Sequence, residues 1–566
     1  MKREKADLVI KYARIFNVFT GELEEGDIAV AEGRIVGIGF GYEGKQYYDG
    51  AEKIALPAFM DAHIHIESSM LSPEAFAALS VAHGTSAVIA DPHEIVNVCS
   101  VAGAEYVKEA LNRLRVGDIS PLEVFLQLPS CVPATPFETS GASLDGEATE
   151  REFSRGNFFG LGEMMNFPAV LAGEEDVLRK IQAAHDVNCP VDGHAPDVSG
   201  ESLNAYRCAG ILTDHESLSA SEIREKIARG MYVQIRCGSS TNNLKDAAEA
   251  LDDFNFRRFV LCSDDKNAEE LSKKGHIDDA VRRLVALGVP AKYAICCATI
   301  NVCECYGLKD RGAIAPRYFA DVILVDNLKD FNVSAVLKRG TLVAENGKAL
   351  FDSSQRYLPE TIKSTVHIKA VRKEDFKIVG HNGKFHVMEI MPHELYTKEL
   401  WIPAPCGEFA VMGSDICKLA VIERHFASGN MGLGLVKGFG LRGGAIGISV
   451  AHDSHNLVIL GDSDEAMARV AYLLKEAGGG MALVDNNGEE VFPLDIAGLM
   501  SSESQEEVIR RTAQITTRAR KMGVKECYEP FMSLAFLSLA VIPELKLTDK
   551  GLFSLSQYKI VPLEEI

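Results

Sequence analysis

The chain has 566 residues, 47% hydrophobic and 25% charged, the balance of a folded globular protein with room for two to four domains. Its 80 acidic residues against 59 basic ones leave a formal net charge of -21, which argues against a nucleic-acid backbone or an anionic membrane as partner and agrees with a small neutral substrate or a metal cation. The opening MKREKADLVIKYARIF has no long apolar core and no small-residue cleavage site, no stretch approaches the roughly 20 apolar residues of a membrane span, and the scattered cysteines follow no spacing framework, so reduced thiols in a cytoplasmic protein are expected.

Residues 6 to 57 read as short strands and turns, in DLVIKYARIFNV, DIAVAEGRIVGIG and KIALPAF. Residues 313 to 350 have the same character, in ADVILVD, AVLKRGTLVA and a turn at Asn346-Gly347. The two flanks, 1–57 plus 313–350, are expected to build one small β-sandwich domain. Between them, over 58–312, eight short apolar runs each end in polar residues: ALPAFMDAHIH, TSAVIADPHE, LEVFLQLPS, FFGLGEMMN, PVDGHAP, ILTDHES, MYVQIRCG and RFVLCSDD. Amphipathic stretches such as EEDVLRKIQAAHDV and HIDDAVRRLVALG separate them. Eight βα units in about 250 residues match a closed (β/α)8 TIM-like barrel, whose active site lies at the C-terminal ends of its strands. Cys296-Cys297 and Cys303-Glu304-Cys305 fall in a predicted helix and read as small buried apolar groups rather than a metal site. From residue 365 to 566 a glycine-rich, strand-rich segment and the helical EEVIRRTAQITTRARKMG form a third, α+β domain. The glycines of KGFGLRGGAIG match neither the P-loop nor the dinucleotide fingerprint and read as turns. The predicted fold class is α/β.

His63 and His65 close the first barrel strand. Side chains alternate along a strand, so both imidazoles point to one side, a pairing that suits a divalent transition metal. Asp61 and Glu67 lie beside them. His194 and His215 terminate the fifth and sixth strands and Asp264 the eighth, at the same mouth. Asp265 points the other way if the strand continues, and reads as a cap or a supporting partner. Glu163 ends the fourth strand, where a carboxylate would bridge two cations about 3.5–4 Å apart, cap a helix or bind an arginine. Asp91, His93 and Glu94 would orient a substrate, ligate a cation or support the ligands, three roles the residues alone leave open. In the third domain, His425, His452, Asp453 and His455 read as hydrogen-bonded structural groups ahead of a further metal site or lid contact.

These segments resemble the amidohydrolase superfamily and, within it, the bacterial and archaeal adenine deaminases. The resemblance runs almost the whole length, through MDAHIHIESSML, VIADPHEIVNV, LPSCVPATPFETSGA, GLGEMMNFPAVL, DGHAPDVSG and DHESLS to KGFGLRGGAI, VAHDSHN, EPFMSLAFL and VIPELKLTDKGL. The histidine pair is shared by many hydrolases; LPSCVPATPFETSGA together with GEMMNF is specific. The resemblance implies that His63 and His65 bind one metal, that His194 and His215 bind the second, and that Glu163 stands where many members carry a carboxylated lysine. It further implies that Asp264 binds metal and moves protons, that the binuclear divalent centre holds iron, manganese or zinc, and that a homodimer converts adenine to hypoxanthine and ammonia. Two positions differ from the family pattern: Asn267 after Lys266, and Cys237 in Arg236-Cys237-Gly238. The nearest alternative is a cyclic amidase of the dihydroorotase or hydantoinase type; the alternative from another class is a catalytically silent binding protein.

Overall fold

The computed structural model describes residues 5–239, 241–392, 394, 396–409, 411 and 415–566; the first four residues of the basic start lie outside these. Its centre is a closed ring of eight parallel strands: β1 (Phe59–Ile64), β2 (Thr85–Ala90), β3 (Glu123–Leu128), β4 (Gly160–Met164), β5 (Val191–Gly193), β6 (Thr213–Asp214), β7 (Tyr232–Arg236) and β8 (Phe259–Cys262). Parallel ladders run from β1 to β5 and from β6 to β8. Leu212 N donates to Val191 O at 2.9 Å across the β5–β6 gap, and Asp264 N donates to His63 O at 2.9 Å, closing β8 onto β1.

The strands are buried on both faces, as parallel strands covered by helices must be, which is why they read as near-continuous apolar runs. Along β2 the alternation is visible: Ala87 and Ile89 join Met60, Ala62, Val260 and Cys262 in one cluster, while Val88 and Ala90 pack into the layer shared with the helices. Cys303 and Cys305 belong to the first of these clusters and Cys296 and Cys297 to the second, all buried small side chains. Beneath the mouth, buried Asp192 accepts hydrogen bonds from Gln127 Nε2 (2.7 Å), Tyr306 OH (2.8 Å) and Thr213 Oγ1 (2.9 Å), a satisfied polar layer that ties β3, β5 and β6 together.

Nine further strands from the two flanks form one continuous sheet, joined where Val322–Val325 runs antiparallel to Ile54–Pro57. Its own core takes Ile10, Ile15, Ile28 and Val30 from one flank and Val322, Leu324, Ala335 and Leu337 from the other. A second nine-stranded sheet, with edge strands Thr397–Pro403 and Gly488–Pro493, builds the C-terminal part, with Met467, Val470 and Leu474 of the helix Asp464–Ala477 packed on one side. This part docks against the barrel mouth. Thr139 Oγ1 donates to Asp549 Oδ2 at 2.7 Å, Asn456 Nδ2 to Thr139 O at 2.8 Å, Ser454 Oγ to Glu138 Oε2 at 2.6 Å and Ser501 N to Met70 O at 2.9 Å. The segment LPSCVPATPFETSGA thus supplies much of the docking surface.

Candidate active site

Glu163, at the end of β4, is the hub. Its Oε1 lies 3.3 Å from His65 Nε2 and 3.6 Å from His93 Nδ1, while its Oε2 lies 2.8 Å from His194 Nδ1 and 3.0 Å from His215 Nε2. One carboxylate oxygen therefore faces each histidine pair. Within the pairs, His63 Nε2 and His65 Nε2 are 3.1 Å apart, and His194 Nδ1 and His215 Nε2 are 3.2 Å apart. Asp264 Oδ1 completes the first group at 3.3 Å from His65 Nε2. His194 and His215 stand one residue beyond β5 and β6, which end at Gly193 and Asp214.

The supports explain the aim of each ligand. Asp91 O takes the other nitrogen of His65, Nδ1, at 2.9 Å, and Asp91 Oδ2 accepts Glu163 N at 2.9 Å. Gly162 is required for this, since a Cβ there would meet Asp91 Oδ2 at 2.1 Å. Asp61 accepts His63 N (3.2 Å) and Ser263 N (3.0 Å) and pairs with His276 Nε2 at 2.9 Å, pinning β1 to β8. Fully buried Lys226 donates to Asp214 Oδ2 (2.8 Å), Ala195 O (2.8 Å) and Glu222 Oε1 (2.7 Å). Asp214 Oδ1 also accepts Ala195 N at 2.8 Å, so one cation locks the backbone beside both His194 and His215. Arg236 Nη1 reaches Asp264 Oδ2 and Glu216 Oε1 together. His194, with 22% of its side chain exposed, is the most exposed of the four histidines.

Burial, then the neighbouring imidazoles of His215 and His65, press His63 well below the usual histidine range. Burial also acts against the charged form of His65 and His215, but the carboxylates of Glu163 and Asp264 outweigh it, carrying His65 well above that range and His215 up to about 9. The two acids are correspondingly held well below the carboxylate range: burial opposes this, and His194 and His215 overcome it at Glu163, Arg236 and His65 at Asp264. Imidazole nitrogens about 3 Å apart, with His63 Nδ1 and His215 Nδ1 buried and lacking hydrogen-bond partners, form a nitrogen–oxygen donor set that fits divalent transition metal ions. His63, His65 and Glu163 face one position and Glu163, His194 and His215 another, while Asp264 lies beside His65 and His215.

Three placements differ from expectation. Asp265 does not point away: Asp264 has φ +55°, so the strand does not continue, and Asp265 lies within ligand distance of His65 and Asp264 with its Oδ1 hydrogen-bonded by Ser68 Oγ. Arg236 and Glu216 belong to the site, with the local segments RCG and DHES giving no sign of their pairing. His425 and His455 are structural, through Ser454 O (2.8 Å) and Ala451 N (3.1 Å), but His452 and Asp453 reach the barrel, at 3.7 Å from Glu94 Oε1 and 3.8 Å from His93 Nε2. The two positions that depart from the family pattern have structural partners. Asn267 Oδ1 caps the helix Ala268–Lys274 by accepting Glu270 N at 2.9 Å, and Cys237 is buried with its sulfur 3.2 Å from Arg283 Nη1.

A closed parallel barrel with strand-end histidines and a carboxylate shared between them defines a metal-dependent hydrolytic enzyme of the amidohydrolase class. A profile of the Amidohydrolase family matches residues 54–343, and one of the Adenine deaminase C-terminal domain matches residues 394–559. The adenine deaminase of Clostridium acetobutylicum is 42% identical over 563 residues, covering 99% of this chain and 98% of its own. Adenine deaminase 2 of Carboxydothermus hydrogenoformans is 43% identical over 565 residues (99% and 97%), and the adenine deaminase of Geobacillus kaustophilus 40% identical over 572 residues (100% and 98%). The chain belongs to the adenine deaminase family.

Proposed function

We propose that the chain hydrolyses adenine to hypoxanthine and ammonia. The observation that carries this reading is that the match to adenine deaminases does not stop at the barrel but continues through the C-terminal domain, at 42% identity over 99% of the chain. A cyclic amidase would use the same barrel and the same centre, but the full-length match argues against it. A silent binding protein would have lost a ligand, whereas every expected ligand position is filled.

In the overall reaction, water adds at C6 of the purine, the C6–N6 bond breaks and ammonia leaves. A pair of divalent ions (manganese, iron or zinc) would supply a water whose pKa falls to about 7. His63, His65 and Asp264 would hold one ion, His194 and His215 the other, and Glu163 both. Asp264 would take up a proton and pass it to the ring nitrogen or the departing amine. Its Oδ1 faces the centre and its Oδ2 is anchored by Arg236, so the carboxylate cannot swing away. General acid–base help of this kind is worth about 10²–10⁴-fold. Asp91 would act through the backbone of β4 and through His65, as a support, whereas His93 and Glu94 face the C-terminal domain and would stand on the substrate side.

All thirteen cysteines are free, and no helix among the described residues is long and apolar enough to cross a membrane. A reducing cytoplasm is the proposed compartment and a homodimer the proposed assembly, the latter checked by light scattering on the purified chain. The deciding assay is ammonia release from adenine by protein of quantified metal content, with dihydropyrimidines tested alongside. Turnover of dihydropyrimidines and none of adenine would overturn the reading.

A further inference from the structure

The loop Ala451–Asn456 of the C-terminal domain carries two side chains onto the barrel mouth. His452 Nδ1 lies 3.7 Å from Glu94 Oε1 and 3.9 Å from Asp453 Oδ1, and Asp453 Oδ1 lies 3.8 Å from His93 Nε2. His93 in turn is 3.6 Å from the shared carboxylate of Glu163, so Asp453 stands one imidazole away from the centre. The loop is held in place from its own domain. Phe536 stacks on His452 with ring centroids 4.6 Å apart, Ser538 Oγ donates to His452 O at 3.2 Å, and His455 N donates to Ala451 O at 2.7 Å. Ser454 and Asn456, on either side, bind Glu138 and Thr139 of the barrel.

Asp453 is 3% exposed, and its Oδ2 is buried without a hydrogen-bond partner; Glu94 Oε2 is in the same condition. A buried carboxylate oxygen accepts only, and leaving it unpaired costs the full desolvation of a charged group. A donor that arrives with the ligand would pair it. Adenine brings two kinds of N–H: the 6-amino group, which is expelled, and the single N–H of its five-membered ring, which stays through the reaction. An acceptor meant to hold the purine throughout must take the second.

We infer that Asp453, supplied by the C-terminal domain, is a specificity-determining residue that accepts the five-membered-ring N–H of the purine, so that the site takes the free base and rejects bases substituted at that nitrogen. The inference rests on the adenine reading above. A contact made equally in the ground state and the transition state appears mainly in KM, and charge-assisted hydrogen bonds are worth about 10- to 100-fold.

The test is a cycle of two proteins and two substrates: wild type and Asp453→Asn, each metal-loaded, with adenine and with 9-methyladenine, which has no ring N–H. Wild type is expected to prefer adenine by about 100-fold or more, since a site built to pair an N–H rejects the analogue lacking it. Asp453→Asn is expected to raise KM for adenine about 10- to 100-fold with kcat much less affected, and to leave kcat/KM for 9-methyladenine nearly unchanged. Equal losses on both substrates would show that Asp453 only steadies His93 and would overturn the inference. Equal use of both substrates by wild type would overturn it too, whether or not the variant folds. A wild type that releases ammonia from neither, yet opens a dihydropyrimidine, sinks the adenine reading itself and this inference with it.

Discussion

Replacing Asp264 with Asn keeps the size of the side chain and removes its ability to take up a proton. If Asp264 is the proton carrier, the loss is the general acid–base contribution of about 10²–10⁴-fold, or about 3–5 kcal/mol in the barrier. Two structural costs must be separated from this. In the proposed centre His63, His65 and Glu163 would remain grouped without Asp264, so most of the metal should be retained. Arg236 loses one buried partner, a change worth about 3–5 kcal/mol when it leaves a charge uncompensated. Here Glu216 still pairs with Arg236, so the cost falls below that range and within a typical stability of about 5–15 kcal/mol. The assay is ammonia release at saturating adenine, normalised to metal measured by mass spectrometry, with a thermal unfolding curve beside it. A variant that folds, holds its metal and turns over within about tenfold of wild type, about 1.4 kcal/mol, would refute the assignment of Asp264.

Glu163→Ala removes the side chain whose two oxygens face the two histidine pairs, so metal per chain should fall sharply and activity with it; full occupancy would contradict a shared ligand. Exhaustive chelation should abolish turnover, with recovery on adding manganese, iron or zinc, and full activity after chelation would remove the metal from the mechanism. Lys226→Met leaves Asp214 buried without its cation and should destabilise the fold by about 3–5 kcal/mol, read as a lowered denaturant midpoint, and should loosen metal on the His194–His215 side first. Unchanged stability would mean that the lysine is not what locks the two ligand segments.

The barrel was legible because its signals are local. Most strands are buried on both faces and read as apolar runs, and helices such as Glu175–Asp186 and Ile277–Ala286 show one apolar stripe, so the alternation survives in the order of residues. His63 and His65 were legible as a pair for the same reason: period-two geometry sets their nitrogens on one side, and they meet at 3.1 Å. The expectation that Asp265 points away holds only for a continuing strand, and the periodicity ends just before it. A positive φ at Asp264 turns the chain, and no local pattern marks the turn.

Composition, periodicity and motif therefore sufficed for the class of fold, the donor types and the family. Folding alone determined which oxygen of Glu163 faces which histidine pair, that Arg236 and Glu216 anchor Asp264, and that His452 and Asp453 meet His93 and Glu94 from more than 350 positions away in the chain. The division has a physical cause. Side-chain direction within a strand follows from backbone sterics between neighbours, whereas barrel closure and the docking of a distant domain follow from burial summed over many residues that are remote in the chain, and short segments carry no trace of that sum.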